Sequence, residues 1–416
     1  MNDWETVRID QVGKIVTGST PSPAIVQYWD GEVPFITPTD INESVYVYST
    51  ERRLTKLGTS FSRLIPANSV MVVCIGSTIG KTACPLVESV TNQQINTVIP
   101  CDLTNPRFLY YTLLRLADSI KQIAGVTAIP IINKTAFSLI EFKLPPLPQQ
   151  RKIAKILTTV DNLIEKTEQL IAKYQSIKQG MMHDLFTRGI DANGKLRPPQ
   201  SEAPELYKQS ELGWIPKEWE GTTLGAISKF DSGYAFANHE LAEHGWKIVR
   251  ITNLHRVNFP YWRYDGVPKH SWIVKKGDLL FSWAGVASSI DAYLYVGEDA
   301  LLNQHIYNIR VESLAFQRFV FHWLQFVLPQ LRTEIEGGAG QLHLTKSKIE
   351  EIAVPMPSEL EMSDLLRRME SIVKQINSES LQLEKLQQLK TALMQDLLTG
   401  KVQVAPDQED KELTHA

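Results

Sequence analysis

The chain has 416 residues, of which 43% are apolar and 21% charged, a composition typical of a globular protein long enough for two or more domains. It contains no apolar run of membrane-spanning length and no signal peptide, so we expect a cytoplasmic protein that does not associate with membranes. The three cysteines, Cys74, Cys84 and Cys101, form no zinc or disulfide pattern, and we expect them to be buried thiols. A net charge of −3 neither requires nor excludes a nucleic-acid partner.

The first region, residues 1–148, consists of short strand-like runs broken by Gly, Pro, Asn and Asp. A helix from Arg107 to Ile123 is predicted near its end, because Pro106 suits the first position of a helix. Residues 149–189 form a long predicted helix with apolar side chains at steps of three and four, broken only at Thr167, as in a coiled-coil seam. The seam positions are Ile153, Ile156, Val160, Leu163, Leu170, Tyr174, Ile177 and Met181.

The stretch GSTIGKT, Gly76 to Thr82, resembles a nucleotide-binding loop but has the wrong spacing. A phosphate-binding loop has four residues between its glycines and leads into a helix. Here three residues separate Gly76 from Gly80, and Pro85 follows where a helix should continue. A strand, a loop and a second strand are therefore predicted, and a P-loop-like ATPase is kept as the alternative.

Residues 190–218, which contain IDANGKLRPPQSEAP, are predicted to be a linker to a second globular region, residues 219–357. That region ends with a predicted helix from Leu314 to Ile335, and a second long helix is predicted over residues 358–400. The charged, proline-containing segment 401–416 is predicted to be a disordered tail.

The two halves of the chain are related by an internal duplication. DWETVRIDQVGKIVTGST aligns with EWEGTTLGAISKFDSGYA, TNQQINTVI with LNQHIYNIR, and MMHDLFTRG with LMQDLLTGK. The aligned positions follow one order and lie between 209 and 215 residues apart. Each half therefore folds as one module, and the two long helices are predicted to pair antiparallel. The predicted fold class is α+β, with two pseudo-symmetric globular domains of mixed strands and a few helices, separated by this helix pair.

The motifs LPPLPQQRKIAKIL, HDLFTRG, GWIPKEW, GDLLFSWAG, NQHI and LMQDLLTGKV follow one another in this order. Over residues 1–402 the chain resembles the specificity (S) subunit of Type I restriction-modification systems. The resemblance implies two target recognition domains that read a bipartite, asymmetric site in double-stranded DNA. It further implies spacer helices that dock adenine-N6 methyltransferase (M) subunits, two of them, to which restriction (R) subunits can be added. The second long helix begins PSELEMSDLL, which departs from the family pattern at the docking surface.

The resemblance also implies that this chain is not an enzyme and binds no cofactor. S-adenosylmethionine, ATP and Mg²⁺ would belong to the partner subunits. The residues agree, because the sequence has no [DNS]-P-P-[YFW] loop, H-E-x-x-H helix or G-x-S-x-G elbow. The acidic stretch PDQEDK, Pro406 to Lys411, lies in the predicted tail. A coiled-coil scaffold that links two protein-binding domains remains the other alternative.

Candidate DNA contacts follow from side-chain chemistry, since amide and guanidinium groups read base edges while Lys, Ser and Thr bind phosphates. In the first domain they are Gly76, Ser77, Thr78, Lys81, Asn92, Gln93, Gln94 and Lys134. In the second they are Arg250, Asn253, Trp283, Gly285, Ser288, Asn303, Gln304, His305 and Lys346.

Structural roles compete with several of these assignments. The Asn-Gln pair occurs in both halves, so Asn92 and Asn303 can instead close a turn. Halves that read different bases should differ at their contacts, which favours Ser77, Thr78 and Lys81 as specificity residues. The aromatic run NFPYWRYDGV, Asn258 to Val267, is predicted to be a half-buried strand, with stacking on DNA as the alternative.

Overall fold

The computed structural model describes residues 4–42, 44–125, 130–256, 259–335 and 342–407. The chain divides into two compact units, of which unit 1 is Met1–Gln169 with Ser380–Ala416 and unit 2 is Leu170–Glu379. Among the described helices, none combines the length and the apolar character needed to cross a membrane.

Unit 1 contains the first globular half. Its strands are β1 (Glu5–Arg8), β2 (Gly13–Thr17), β3 (Trp29–Ile36), β4 (Tyr46–Val47), β5 (Arg52–Leu54), β6 (Leu64–Ile65), β7 (Val70–Val73), β8 (Thr82–Pro85), β9 (Ser89–Thr91), β10 (Ile95–Pro100) and β11 (Glu141–Leu144). Its helices are α1 (Lys56–Thr59), α2 (Pro106–Arg115), α3 (Ala117–Ala124), α4 (Lys134–Ser138) and the first part of α5 (Leu147–Thr187). The strands form sheets in the order β2-β10-β7-β8-β4 and β5-β3-β9-β6, and β1 pairs with β11.

Unit 2 contains the second half. Its strands are β12 (Tyr207–Ser210), β13 (Gly213–Pro216), β14 (Glu220–Thr223), β15 (Lys229–Ser232), β16 (Trp246–Val249), β17 (Trp262–Tyr264), β18 (Ile273–Val274), β19 (Leu279–Ser282), β20 (Ala284–Gly285), β21 (Asp291–Leu294), β22 (Ala300–Leu302), β23 (Ile306–Arg310), β24 (Leu342–His343) and β25 (Ala353–Met356). Its helices are the end of α5 from Leu170, α6 (Leu224–Ile227), α7 (Ile251–His255), α8 (Leu314–Ile335), α9 (Lys346–Glu350) and the first half of α10 (Glu359–Leu397), which belongs to unit 1 from Ser380 onward.

The sheet topology repeats between the units. The order β15-β23-β19-β21 in unit 2 reproduces β2-β10-β7-β8, and β17-β16-β22-β18 reproduces β5-β3-β9-β6. In the sheets β5-β3-β9-β6 and β17-β16-β22-β18 the two central strands, β3 with β9 and β16 with β22, run parallel. The strand that opens each half pairs with the strand that precedes its long helix, as β1 with β11 and β14 with β25. The predicted α+β fold and the duplication are confirmed.

One side-chain contact is conserved between the halves at the start of each long helix. Trp4 Nε1 donates to Gln149 Oε1 at 3.0 Å, and Trp219 Nε1 donates to Glu361 Oε2 at 2.9 Å. Both tryptophans are buried, with 7% and 0% of their surface exposed. Gln149 and Glu361 lie 212 positions apart, and the burial pattern of residues 150–166 recurs residue by residue at 362–378.

The long helices pack antiparallel within each unit. In unit 1 the buried Ile153 and Leu157 of α5 share a core with Leu397 of α10, and one turn further along α5 Asp161 Oδ1 lies 2.7 Å from Lys390 Nζ. Residue numbers therefore increase along α5 in the direction in which they decrease along α10, so the two helices are antiparallel. In unit 2 the end of α5 shares a core with the start of α10. The members of that second contact include Met182, Leu185, Phe186, Met362, Leu365, Leu366 and Met369.

The predicted seam is correct only in part. Ile153 and Val160 are buried, but Leu163 and Ile177 are each 45% exposed. The ends of α5 bury a wider face than a two-helix seam requires, because they also pack on the globular halves; Leu157 is fully buried for this reason. The simple heptad pattern therefore misses part of the core and includes side chains that face solvent.

The single helix predicted from Arg107 to Ile123 is two helices in the structure. The structure has α2 and α3, separated at Leu116, whose φ of −81° and ψ of 0° leave the helical region. No Pro or Gly marks this break in the sequence. The predicted helix from Leu314 to Ile335 has the bounds of α8.

The predicted linker, residues 190–218, is folded rather than extended. The hairpin of β12 and β13 lies within it, and Ile190, Tyr207 and Ile215 are buried. Arg197 is also buried, because its guanidinium donates to both carboxylate oxygens of Glu361 and to Glu218. This segment is therefore part of the core of unit 2.

The start of the predicted disordered tail also makes specific contacts. Lys152 and Lys155 both donate to the carboxylate of Asp407, and Val404 packs against the core of unit 1. The rest of PDQEDK and the end of the tail lie outside the described residues.

The cysteine prediction holds for two of the three thiols. Cys74 and Cys84 are buried, and burial raises their pKa to about 11 and about 12. Cys101 is exposed, which corrects the expectation of three buried thiols. Its position just after β10 leaves Sγ 3.5 Å from Thr104 Oγ1 at the surface.

Candidate DNA-binding surface

The glycine loop of unit 1 joins two antiparallel strands. It follows β7 and leads into β8, which pair at Met71 with Ala83, so the predicted strand-loop-strand arrangement is confirmed. Gly76 and Gly80 have φ values of +98° and +90°, a conformation that favours glycine. Because a strand follows the loop where a P-loop requires a helix, the geometry does not support the ATPase alternative.

Several predicted contact residues of unit 1 lie around this loop. Ser77 is exposed at its tip, and the neighbouring turn presents Gln93, whose Oε1 accepts from Thr20 Oγ1 at 2.6 Å. Gln94 Nε2 donates to Ile75 O at 3.5 Å, which joins the turn to the loop. Ser77, Gln93 and Gln94, with the half-exposed Thr78, therefore belong to one polar surface at the ends of β7 and β10, which we call the loop surface of unit 1.

Lys134 lies at the edge of the same surface. Ile132 N donates to Cys74 O at 2.9 Å, so the segment before α4 runs beside the end of β7. Asn133 caps α4 by accepting from Ala136 N at 2.8 Å, and Lys134 follows as an exposed cation. Its role as a phosphate contact stays a prediction.

Unit 2 repeats this arrangement with different side chains. Trp283 N donates to His305 O at 3.2 Å, and Leu344 N donates to Trp283 O at 3.1 Å, which are the equivalents of the bonds around Cys74. Gly285 has a φ of +116°, and the exposed Ser288 follows it. The indole of Trp283 lies 5.3 Å from the ring of His305. The loop surface of unit 2 therefore includes Trp283, Gly285, Ser288, the half-exposed Gln304, His305 and the exposed Lys346.

Three predicted contact residues lie instead in the interior. Asn92, Asn253 and Asn303 are 8%, 5% and 7% exposed. Asn92 Oδ1 accepts from Gln94 N at 3.1 Å, and Asn253 bonds to Arg250 N and Phe259 O. Their amides stabilise turns, which favours the structural alternative for the shared Asn-Gln pair.

Two glycines explain why the shared asparagines are held in place. A Cβ on Gly18 would lie 2.0 Å from Asn92 O, and a Cβ on Gly233 would lie 2.2 Å from Asn303 O. Only glycine permits the backbone just after β2 or β15 to approach the turn so closely. The alignment of Gly18 with Gly233 thus corresponds to the same close contact in both halves.

Arg250 is joined to the aromatic run. Its guanidinium carbon lies 4.0 Å from the ring centroid of Trp262, and Nη2 donates to Pro260 O at 2.8 Å. Burial lowers the pKa of Arg250. Trp262 is 38% exposed and begins β17, so this part of the run is a strand, as predicted; Asn258 lies outside the described residues.

Lys81 is separated from this surface. Its Nζ donates to Ile41 O at 2.8 Å, and the side chain lines a cavity of about 880 Å³ between the first globular half and the helices of unit 1. Arg107, Asp161 and Lys390 line the same cavity. Of the glycine-loop candidates, Lys81 is the one that faces the helices.

An exposed cation that the sequence does not mark belongs to the loop surface of unit 1. Arg63 Nη1 donates to Thr17 O at 2.7 Å, and Arg63 N donates to Ser19 Oγ at 3.1 Å. Both partners lie within three residues of Thr20, which bonds to Gln93. Arg63 lies over forty residues from these partners in the chain, and no motif surrounds it. Within the described ranges, no three His, Cys, Asp or Glu side chains are grouped as metal ligands.

Comparison with known proteins agrees with the duplicated architecture. Residues 1–175 and 216–390 match the Type I restriction modification DNA specificity domain. The specificity subunit of the Type I restriction enzyme MjaVIII from Methanocaldococcus jannaschii is 25% identical over 97% of this chain and 93% of that protein. The specificity subunit of the Type I restriction enzyme HindI from Haemophilus influenzae is 34% identical over 39% of this chain and 37% of that protein.

A solved structure shows the same fold. The S subunit of a Type I restriction-modification system from M. genitalium superposes with a TM-score of 0.61 at 16% identity, over 95% of this chain and 96% of that chain. The two regions that match the DNA specificity domain each contain one of the repeated halves and together span most of the sequence. The chain therefore belongs to the family of Type I restriction-modification specificity subunits.

Proposed function

We propose that this chain reads a bipartite, asymmetric site in double-stranded DNA and performs no catalysis itself. Each globular half contacts one half-site through its loop surface. The observation that carries the proposal is that the two loop surfaces occupy equivalent positions on a repeated scaffold while their exposed side chains differ. A duplicated scaffold with divergent contact residues suits a ligand made of two unlike halves.

The scaffold and the contacts can be separated residue by residue. The scaffold positions, such as Gly18 with Gly233 and Asn92 with Asn303, make the same backbone contacts in both units. The loop tips do not match, because the exposed Ser77 of unit 1 corresponds to the exposed Val286 of unit 2, and the half-exposed Thr78 corresponds to the buried Ala287. Hydroxyl groups can bond to base edges or phosphates, whereas apolar side chains can contact the methyl group of thymine.

The long helices offer docking surfaces for methyltransferase subunits, two of which we propose to bind. Leu163 on α5 and Leu389 on α10 in unit 1 are 45% and 46% exposed, and Ile177 in unit 2 is 45% exposed. Apolar side chains that a helix leaves exposed can pack against a partner helix. The partners would supply S-adenosylmethionine for adenine-N6 transfer, and restriction subunits would supply ATP and Mg²⁺ chemistry.

The experiment that tests this function is methylation mapping. The chain would be co-expressed with its methyltransferase partner in a host without N6-methyladenine, and modified adenines would be located across the genome. We expect one asymmetric motif with two specified parts. Ser77→Ala with Thr78→Ala should relax one part only, and Val286→Ser should change the other part only. Methylation without a bipartite motif, or a change of both parts by one variant, would contradict the proposal.

Salt dependence tests the predicted phosphate contacts. Lys134→Ala and Lys346→Ala should each reduce the slope of log affinity against log salt by about one, because one fewer counterion is released. The methylated motif should stay the same, since phosphate contacts carry no sequence information. Lys195→Ala, at an exposed site in the folded linker, is the matched control. Binding that shows no salt dependence would favour the protein scaffold alternative.

A further inference from the structure

One edge strand of each unit is preceded by a residue whose side chain differs completely between the halves. The first residue of β6, Leu64, lies opposite the middle residue of β9, and the first residue of β18, Ile273, lies opposite the middle residue of β22. Because β6-β9 and β18-β22 are equivalent parts of the repeated sheet, the preceding residues, Arg63 and Trp272, are equivalent.

A second pair of equivalent residues, Ser19 and Tyr234, lies beside this position. Each follows the glycine of close approach, and its backbone N donates at 2.9 Å to the last residue of β9 or β22. In unit 1, Arg63 N donates to Ser19 Oγ at 3.1 Å. In unit 2, the rings of Tyr234 and Trp272 are stacked, with centroids 4.2 Å apart and planes inclined by 17°. The same two backbone positions therefore meet in both units and present different chemistry.

The guanidinium of Arg63 is anchored at one nitrogen and otherwise free. Nη1 donates to Thr17 O at 2.7 Å, and the residue is exposed. Within the described ranges of the chain, no carboxylate pairs with Arg63, and its Nε and Nη2 donate to no protein acceptor. An anchored side chain loses less conformational freedom on binding, and a guanidinium offers its donors in a planar fork. Arg63 is thus prepared to bind two acceptors that lie side by side.

The equivalent place in unit 2 offers ring surface instead. Trp272 and Tyr234 are both half-exposed, and the hydroxyl of Tyr234 donates to Glu240 Oε1 at 3.1 Å. The ammonium of the exposed Lys269 lies 5.7 Å from the centroid of the Trp272 ring. An apolar surface of this kind can contact the methyl group of thymine, whereas a guanidinium pairs with the O6 and N7 acceptors of guanine.

The difference between the units favours base contacts over phosphate contacts at this position. The phosphate backbone is chemically the same at both half-sites, so a phosphate contact can be the same in both units, as predicted for Lys134 and Lys346. Arg63 and Trp272 cannot replace each other in that role, because an indole carries no charge. Side chains that differ on one scaffold are the ones expected to read different bases.

We propose that Arg63 reads a guanine in the major groove of the first half-site, and that Trp272, stacked on Tyr234, contacts a thymine methyl group in the second. The inference rests on the proposed function, because the DNA is the ligand named there. It adds one specificity position to each half, separate from the loop tips at Ser77 and Val286.

Methylation mapping of the complex with its methyltransferase partner tests the role of Arg63. Arg63→Ala should relax one specified guanine of one half-site to any base and leave the other half-site unchanged. Arg63→Gln should shift that position towards adenine, the base with which an amide pairs. Arg53→Ala is the matched control, because Arg53 is an exposed arginine at the opposite edge of the same sheet whose Nη1 donates to Glu32 O. It should leave the whole motif unchanged.

The role of Trp272 is tested in the same way in the other half-site. Trp272→Ala should relax one specified A·T pair there, and Trp272→Phe, which keeps a ring to stack on Tyr234, should preserve it. A second half-site that is unchanged in Trp272→Ala, or that has no specified A·T pair, would contradict the assignment in unit 2.

Competition binding with duplexes measures the contact of Arg63 directly. The wild-type complex should bind about tenfold more weakly when the guanine is replaced, whereas Arg63→Ala should bind both duplexes equally. Uniformly weaker binding of every duplex by Arg63→Ala, with an unchanged motif and a smaller salt slope, would indicate a phosphate contact and overturn the inference. Loss of the entire first half-site in both Arg63 variants would also overturn it, since the side chain would then support the fold of the surface.

The wild-type complex separates this inference from the proposed function. If it methylates no bipartite motif, both fail together. If it reads a bipartite motif that the Arg63 variants read identically, or whose half-sites contain no guanine, the inference alone fails. The half-site read by unit 2 should persist in the Arg63 variants and reports that they are folded.

Discussion

Replacing Glu361 by alanine is expected to lower the free energy of unfolding of unit 2 by about 3–5 kcal/mol, the usual effect of removing one partner of a buried ion pair. Glu361 and Arg197 are 8% and 9% exposed. The carboxylate also accepts from Ile190 N at 2.7 Å and from Trp219 Nε1 at 2.9 Å. Its removal leaves a buried guanidinium with Glu218 as its remaining carboxylate partner and Arg188 O as a backbone acceptor, and two further donors without the carboxylate.

Denaturant unfolding followed by tryptophan fluorescence measures this effect, since Trp219 is fully buried beside the site. Glu361→Gln is the informative control, because Gln149 occupies the equivalent position in unit 1 and accepts from Trp4 without a charge. Glu361→Gln should retain the hydrogen bond from Trp219 Nε1, and its free energy of unfolding should lie between those of wild type and Glu361→Ala. If Glu361→Ala were as stable as wild type, the bonds of Glu361 to Arg197, Ile190 and Trp219 would not contribute to the stability of unit 2.

The second large effect concerns the close backbone approach at Gly18 and Gly233. Alanine at Gly18 would place Cβ within 2.4 Å of both Thr91 O and Asn92 O, and backbone atoms on both sides would have to move. We expect the free energy of unfolding to fall by about 3 kcal/mol, which is at the upper end of the cost of overpacking a core. Gly233→Ala should destabilise the protein by a similar amount, because its Cβ would lie 2.4 Å from Leu302 O.

These two substitutions should separate the half-sites functionally. Gly18→Ala disturbs the turn at Asn92 and therefore the loop surface of unit 1, while unit 2 stays intact. In methylation mapping, recognition of one half-site should fail and the specified bases of the other should persist. Gly221→Ala is the control, because a Cβ there meets nothing within 4 Å. Equal damage to both half-sites by Gly18→Ala would show that the two units do not read DNA independently.

The duplication and the long helices could be predicted because their signals are local and repeated. A heptad-like pattern over some forty residues specifies a helix whatever surrounds it. The limits of the seam could not be predicted, since Leu157 is buried by the globular half and Leu163 is not. Burial of that kind depends on tertiary contacts that periodicity does not contain.

The candidate site shows the same division. Alignment of the halves paired the two glycine loops, and the predicted contacts Asn92 and Asn303 are interior, which agrees with the structural alternative for the shared pair. Arg63 and the folded linker could not be found from the sequence. Arg63 reaches the surface through a bond to Thr17, and Arg197 is buried by a carboxylate more than 160 residues away. Such long-range pairs leave no pattern in the neighbouring residues.

The contacts at the start of α5 have a topological consequence. Trp4, near the beginning of the chain, bonds to Gln149, and Asp407, near its end, binds Lys152 one turn along the same helix. The first and last described segments therefore meet at one place in unit 1. A circular permutation would join the two ends there and open the chain at the surface turn around Asn193. We expect such a chain to retain both of these contacts. The order of the two halves along the chain is therefore not expected to change these contacts.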